Sequence, residues 1–328
     1  MNEKQTMLSD MASALFAALS HGASTDDWGR IEELGFAGLL LDEAAGGFGG
    51  SFEDAGIVFR LAGYNAVALP VVEAILAARL AADAGFAASG TGTIAEAASG
   101  AISGDGFTGA LRGVPWGRLA DFVAAPAPDG GTMVLSTAEA RVEERENLAG
   151  EPRDVLHFAE TPIQRTDADL FGLGAAARTA QIAGACDAVL AMAVGYVNDR
   201  KQFGKPLGKL QAVQQALAVF ACEAAAANCA AVGVAQALDR GDAGFEVAAA
   251  KGRANMAAGV GTAIGHQAHG AIGFTEEYGL HPLTRRLWSW RSEFGGEQYW
   301  METLGRQVVA GGADEFWSGM AGRSDPPA

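Results

Sequence analysis

At 328 residues the chain is long enough for two or three domains and a substantial core. Its formal net charge of −16 and isoelectric point near 4.7 argue against a broad nucleic-acid-binding face, which needs clustered Lys and Arg, so any anionic ligand must be met by a local basic spot. Alanine and glycine are abundant and aromatic residues make up only 8%, a balance that favours close-packed helices over a sheet-rich fold.

The first residues, MNEKQTMLSDM, carry neither the basic stretch nor the apolar run of a signal peptide. Helical periodicity then recurs over residues 1–90, in MLSDMASALFAAL, DDWGRIEELGFAGLLL, SFEDAGIVFRLAGY and VVEAILAARLAADAG. Thr25 or Asp26 is placed to cap the helix that opens at Trp28, and Gly46-Gly47 and Gly49-Gly50 punctuate the longest loop. Over residues 91–168 the period shortens: DFVAAPA, TMVLS and DVLHFAE read as strands separated by tight turns, which makes a small middle β domain. Residues 169–313 return to helix in three long blocks, 172–200, 209–240 and 243–269, joined by short breaks and therefore antiparallel in sequence, as in a bundle. Residues 314–328 read as a tail. The expected fold is mainly α with a small β domain.

Several motifs carry less than they promise. GDGFTG, residues 104–109, fits G-x-G-x-x-G, but ALRGVP follows where a helix should open, so turn glycines are the better account. His266 and His269 in HQAH have metal-ligand spacing without a third or fourth ligand nearby. Residues 254–275 lack Asp, Glu, Lys and Arg, yet their glycines, two histidines, Asn255 and Gln267 are too polar for a membrane span. Cys186, Cys222 and Cys229 lie in alanine-rich segments and read as buried free thiols of a reducing cytosol. The expectation is a cytoplasmic protein that binds neither nucleic acid, membrane nor metal.

DRKQFGKPLGKLQAVQ, residues 199–214, is the most informative stretch. A long apolar helix ends in Asp-Arg-Lys, a Gly-Lys-Pro turn sets Phe203 beside Arg200, Lys201 and Lys205, and the next helix opens with Gln211 and Gln214. Cations and amides around an aromatic ring suit a diphosphate carrying a flat ring. A basic turn complementing the helix dipole accounts for the same residues equally well.

RKQFGKPLGKLQAVQ resembles the Arg, Phe-Gly, Pro-Leu and Gln-x-x-Gln pattern of the acyl-CoA dehydrogenase family. QAHGAIGFTEEYGLHPLTRR, residues 267–286, looks like that family's Gln-x-x-Gly-Gly-x-Gly-Phe/Tyr segment, and LLLDEAAGGFGG like its Pro-Glu-x-x-Gly-Gly loop with Asp42 in place of proline. The resemblance spans almost the whole chain. It implies an N-terminal helical domain, a middle β domain and a C-terminal four-helix bundle, with FAD as cofactor and an acyl-CoA thioester as substrate. It implies that Arg200 pairs with the FAD diphosphate held by a neighbouring subunit, that Phe203 packs along the adenine arm, and that Gln211, Gln267 and Gly270 add polar or close-backbone contacts. An electron-accepting flavoprotein would be a further partner.

Two departures stand beside the matches. The family's Thr-Glu-Pro-x-x-Gly-Ser-Asp loop, which lies against the flavin ring, has no evident counterpart between Gly90 and Arg118. In RSEFGGEQYW, residues 291–300, the family's catalytic glutamate falls on Phe294, and its alternative position falls near Gly174. Glu293, one residue away, would have to swing about 100° around a helix to stand in; Glu297 reads as a helix-start carboxylate. A positioned base typically contributes ~10²–10⁴-fold to such a proton abstraction. The expectation is a subunit that completes the FAD site of a partner acyl-CoA dehydrogenase chain, as in the family's heteromeric members of bacterial steroid side-chain degradation. The alternatives are a self-sufficient homo-oligomer using Glu293, and a scaffold that has lost flavin.

Overall fold

The computed structural model describes residues 1–19 and 27–324. Four helices come first: α1 (Glu3–Leu19), α2 (Trp28–Glu33), α3 (Phe52–Tyr64) and α4 (Val71–Asp83). Thr25 and Asp26, the expected caps, lie outside the described residues; Asp27 stands at the N-cap position of α2. The glycine-rich loop folds back on the preceding turn, Phe48, Gly49 and Gly50 donating to the carbonyls of Gly38, Leu41 and Leu39. A capping box then starts α3, with Ser51 and Asp54 each accepting the other's backbone N–H.

Eight strands follow: β1 (Gly92–Ile94), β2 (Ala97–Ser103), β3 (Gly106–Pro115), β4 (Phe122–Pro126), β5 (Thr132–Ser136), β6 (Arg141–Glu143), β7 (Arg153–Pro162) and β8 (Gln164–Thr166). They form two four-stranded sheets, β1-β4-β5-β8 and β2-β3-β7-β6, in which only the β1–β4 pair is parallel. Alternation along β4 and β5 explains why these short runs are apolar throughout. Val123, Ala125, Met133 and Leu135 pack between the sheets, while Phe122, Ala124 and Val134 face the helices. The GDGFTG segment is the β2–β3 hairpin, with Gly104 at φ 57° in its turn and no helix after it.

Helices resume with α5 (Leu170–Asp199), a hairpin of β9 (Lys201–Gln202) and β10 (Lys205–Pro206), α6 (Gln211–Arg240), α7 (Gly244–His269), α8 (Leu280–Trp290), α9 (Glu297–Gly311) and α10 (Ala313–Ser324). The last corrects the expected tail, which is helical through residue 324. Because α6 returns along α5 and α7 returns along α6, the C-terminal ends of α5 and α7 and the N-terminal end of α6 lie together. Helices α5 and α6 have the length and hydropathy of membrane spans, but α5 is largely buried as the centre of this bundle.

Close approach of α3 and α5 is written in glycine. A Cβ on Gly184 would stand 1.9 Å from the Arg60 carbonyl oxygen, and one on Gly63 would stand 2.1 Å from that of Gln181. Gly184→Ala must therefore push two helices apart. We expect it to lower the unfolding free energy by ~1–3 kcal/mol or more in urea titration; an unchanged midpoint would contradict this packing.

Candidate functional site

The residues around the segment between α8 and α9 form an alternating chain of buried charges. Arg178, in the first third of α5, donates to Glu73 of α4 at 2.7 Å and to Glu293, between α8 and α9, at 2.8 Å. Arg153, at the start of β7, donates to Glu293 at 2.9 Å and 3.2 Å and to Glu151 at 3.1 Å. Glu151 in turn accepts from Arg286 of α8 at 2.8 Å. Three carboxylates and three guanidiniums thus alternate from the N-terminal helices through the bundle to the β layer. Asn147 donates to both Glu151 and Glu293.

This arrangement decides what Glu293 can do. Burial alone would raise its pKa, but Arg153 and Arg178, with hydrogen bonds from Arg153 and Asn147, outweigh burial and hold it at about 2. Both carboxylate oxygens are engaged by guanidiniums, and the side chain is only 11% exposed. The bulge that would swing Glu293 into the base position is not seen. Glu297 opens α9 and pairs with Arg291 at 3.3 Å.

Phe294 points the other way, toward Gly174. Its ring is 1% exposed, lies 6.0 Å from the ring of Phe171, and has the Arg178 guanidinium 5.8 Å from its centroid. A Cβ on Gly174 would lie 2.4 Å from the Phe294 Cδ1. Phe294 and Gly174 are therefore in contact, and the phenyl ring of the one occupies the space that any side chain at the other would need. Phe294 takes φ 52°, unusual for a bulky residue, and its backbone is fixed on both sides. Its N–H donates to Glu96 at 3.0 Å and its carbonyl accepts from the Trp300 indole at 2.8 Å. Beneath this loop the Lys251 ammonium, fully buried, reaches Asn255 Oδ1 and the carbonyls of Trp290, Arg291 and Gly295. Burial lowers its pKa to about 7 against the pull of Glu293.

Glu96 was missed in the sequence. It lies between β1 and β2. Burial and then the charge of Glu293 raise its pKa. A cavity of about 430 Å³ opens here between the β layer and α8, lined by Glu96, Asn147, Trp288 and Ser289 among others.

The second group of expected residues gathers at the opposite end of the bundle. Arg200 caps α5, and β9–β10 turns tightly at Phe203-Gly204, both with positive φ. That two-residue turn favours Asn-Gly, so a phenylalanine at φ 52° and 84% exposed is a strained residue held out to solvent. Gln211 opens α6, whose first turn carries no acidic residue and no side-chain cap. Gln214 is turned back to the Gly208 carbonyl at 2.8 Å. Gln267 and Gly270 are exposed at the end of α7. The His269 ring, 4.8 Å from Tyr196 on α5, brings that end beside Arg200. Among the described residues, Arg200, Lys201, Lys205 and Lys209 form no salt bridge. His266 and His269 are engaged with Thr284, Gly265 and Tyr278, and no metal-binding cluster occurs among the described residues. Of the cysteines only Cys186 is buried; Cys222 and Cys229 are exposed, which corrects the expectation, because the α6 face that carries them has no helix against it.

The acyl-CoA dehydrogenase C-terminal domain family matches residues 167–309, from the end of the β layer into α9. Acyl-CoA dehydrogenase IpdE2 of Mycobacterium tuberculosis is 30% identical over 282 residues, spanning 83% of this chain and 84% of that protein. The chain belongs to the acyl-CoA dehydrogenase family. Acyl-CoA dehydrogenase FadE34 of the same organism is 30% identical over 305 residues, which take in 85% of this chain but 41% of that protein, so the chain spans less than half the length of that relative. The fold is shared with the Tcur3481–Tcur3483 steroid acyl-CoA dehydrogenase G363A variant, at a TM-score of 0.86 and 23% identity over 94% of this chain and 98% of that one. It is shared equally with the ChsE4–ChsE5 complex from M. tuberculosis, at 0.85 and 19% over 95% and 99%.

Because the folded pKa of Glu293 lies below its ordinary 4.5, its contribution to stability is complete above pH 4.5 and is lost as pH falls toward 2. Glu293→Gln should cost ~3–5 kcal/mol near neutrality by leaving two buried guanidiniums short of a partner. It should also flatten the acid limb of stability against pH between 4.5 and 2. Wild-type and variant curves running parallel in urea titrations across that range would contradict the assignment.

Proposed function

We propose that this chain is the cofactor-completing subunit of a heteromeric, FAD-dependent acyl-CoA dehydrogenase. It presents Arg200, Phe203, Gln211, Gln267 and Gly270 to the diphosphate and adenine arm of a flavin seated in a sister chain, and takes no proton from the acyl-CoA itself. The observation that carries this reading is the contact of Phe294 with Gly174, which leaves neither base position with a carboxylate or with room for one.

The two ends of α5 support a division of labour. Arg178 and Arg200 are 22 residues apart, about 33 Å along the axis. The cation end and the Phe294 end therefore serve different sites. At the cation end the donor set fits a diphosphate: a guanidinium and three ammonium groups without protein partners, an uncapped N-terminus of a long helix, and a ring held out beside them. At the Phe294 end the residues do not suit a flavin-dependent oxidation, because a phenyl ring fills the base position, Glu293 is neutralised by two arginines and Glu96 is engaged with the Phe294 N–H. FAD, when bound, supplies the hydride acceptor. This chain's residues would hold its polar arm, while the sister chain would supply the proton acceptor and meet the electron-accepting flavoprotein.

Relatives point the same way. More of FadE34 lies outside the match than within it, room for a second unit of this size in one polypeptide, and ChsE4–ChsE5 is by name a complex of two chains. A self-sufficient homo-oligomer using Glu293 would need that carboxylate free to accept a proton, and its pKa of about 2 makes it a weak base. A scaffold without flavin would leave the unpaired cations without a role.

Arg200→Ala in the co-expressed complex tests the assignment. Loss of a charge-assisted contact worth ~1.5–3 kcal/mol should weaken FAD binding about 10- to 100-fold, read as flavin retained per complex after dialysis. Full retention would favour the scaffold.

A further inference from the structure

At the cation end of the bundle the cofactor contacts come from separate helix ends: Arg200 follows α5, while Gln267 and Gly270 stand at the close of α7. Their spacing depends on whatever joins those two ends. Three rings make the joint. Tyr196 of α5, His269 of α7 and Tyr278, just before α8, have centroids 4.8 Å apart for Tyr196 and His269, 5.0 Å for His269 and Tyr278, and 6.0 Å for the two tyrosines. His269 is the buried member, only 3% exposed. Its Nδ1 lies 2.7 Å from the Gly265 carbonyl oxygen, which can only accept, so Nδ1 carries the proton. In the neutral ring Nε2 is then an acceptor, and the Tyr278 hydroxyl donates to it at 3.2 Å. Burial, then Tyr196 and Asp199, push the Tyr278 phenol up, so the hydroxyl keeps the proton it donates.

Each ring is tied to a piece of the site. The Tyr196 carbonyl accepts from the Arg200 N–H at 2.8 Å, and the Arg200 carbonyl accepts from the Leu207 N–H at 2.9 Å, so the Arg200 backbone is fixed from both sides. His269 is followed directly by Gly270, and the turn beyond is pinned as well. A Cβ on Gly273 would stand 2.9 Å from the Leu280 Cδ2 and 3.1 Å from the His269 Cβ. Phe274 stacks on His266 at 4.3 Å, and His266 Nε2 lies 3.0 Å from the Thr284 hydroxyl. Filling the space between α5 and α7 would need only apolar rings. A histidine and a phenol there must instead satisfy each other, and one relative placement of the two helix ends does so.

We propose that His269 is a positioning residue which, through Tyr196 and Tyr278, locks the distance between Arg200 and the turn carrying Gln267 and Gly270, so that both meet one cofactor arm. This rests on the reading of that end as the site of the flavin diphosphate and adenine. His269 is buried behind the turn and works through its neighbours. What it contributes is preorganisation: donors already at their bound spacing lose less freedom when the cofactor arrives.

The test is a double-mutant cycle in the co-expressed complex with the sister chain, stripped of flavin and titrated with FAD while flavin fluorescence is followed. Tyr278→Phe keeps the ring and removes the hydroxyl that His269 Nε2 accepts from, and it should weaken FAD binding about 3- to 10-fold. In an Arg200→Ala background the same change should cost less than about 2-fold, because the spacing it loosens no longer serves the guanidinium. His269→Leu should weaken binding at least as much as Tyr278→Phe. His269→Gln, whose amide oxygen can still accept from Tyr278, should recover part of the loss. A merely structural role would lower thermal stability and FAD binding alike in both backgrounds, with no rescue by glutamine; if His269→Leu does not fold, Tyr278→Phe decides. Equal losses in the two backgrounds would overturn the proposal and leave the cofactor reading standing. So would wild-type FAD binding by Tyr278→Phe and His269→Leu while Arg200→Ala binds weakly. Full FAD binding by Arg200→Ala would overturn both.

Discussion

The alternating chain Glu73–Arg178–Glu293–Arg153–Glu151–Arg286 is the constraint on which the rest of this structure depends. It touches the N-terminal helices, the β layer, α5 and α8 at once. Its three positive and three negative groups are nearly all withdrawn from water, and each interior member has an opposite charge on both sides. Such a network is costly to desolvate and costlier to break. Its value lies in register: only one relative placement of the three layers satisfies every member. It also fixes the segment between α8 and α9, turning Glu293 into the ion network and Phe294 toward Gly174.

The network leaves Glu293 and Phe294 no slack to exchange directions. Lys251 and Glu96 hold the backbone on either side of the ring. The opposite end of α5 is built on the contrary principle, with unpaired cations, an open helix terminus and a strained, exposed Phe203. Stability is concentrated around Glu293 and Phe294, and unsatisfied polar capacity is left at the far end of α5.

The layout of helices and strands could be read directly from the chain because short apolar runs bounded by turn residues mark β4, β5 and β7, and long alanine-rich blocks with short breaks between them mark α5, α6 and α7. Counting from Gln267 without a gap singled out Phe294 as a residue to examine, and it is buried against Gly174. The buried ion chain was not, although a lone Arg178 within GAAARTAQIAGAC and a lone Glu73 within VVEAIL each signalled a buried charge in need of a partner. Pairing them requires residues more than a hundred positions apart, which no local pattern reports. Glu96 escaped because a single carboxylate between two short strands gives no local sign that the Phe294 N–H, some two hundred positions away, is its partner. Cys222 and Cys229 were misjudged because an alanine-rich helix looks buried whichever side its neighbours occupy.

The most direct measurement of the central claim is the stoichiometry of flavin on the isolated chain, by absorbance after saturation with FAD and removal of excess, followed by addition of an acyl-CoA. The account predicts no retained flavin and no bleaching from the chain alone, with flavin appearing only when a sister chain is present and in less than one equivalent per polypeptide. One tightly held FAD per copy of the isolated chain, bleached by acyl-CoA, would contradict it.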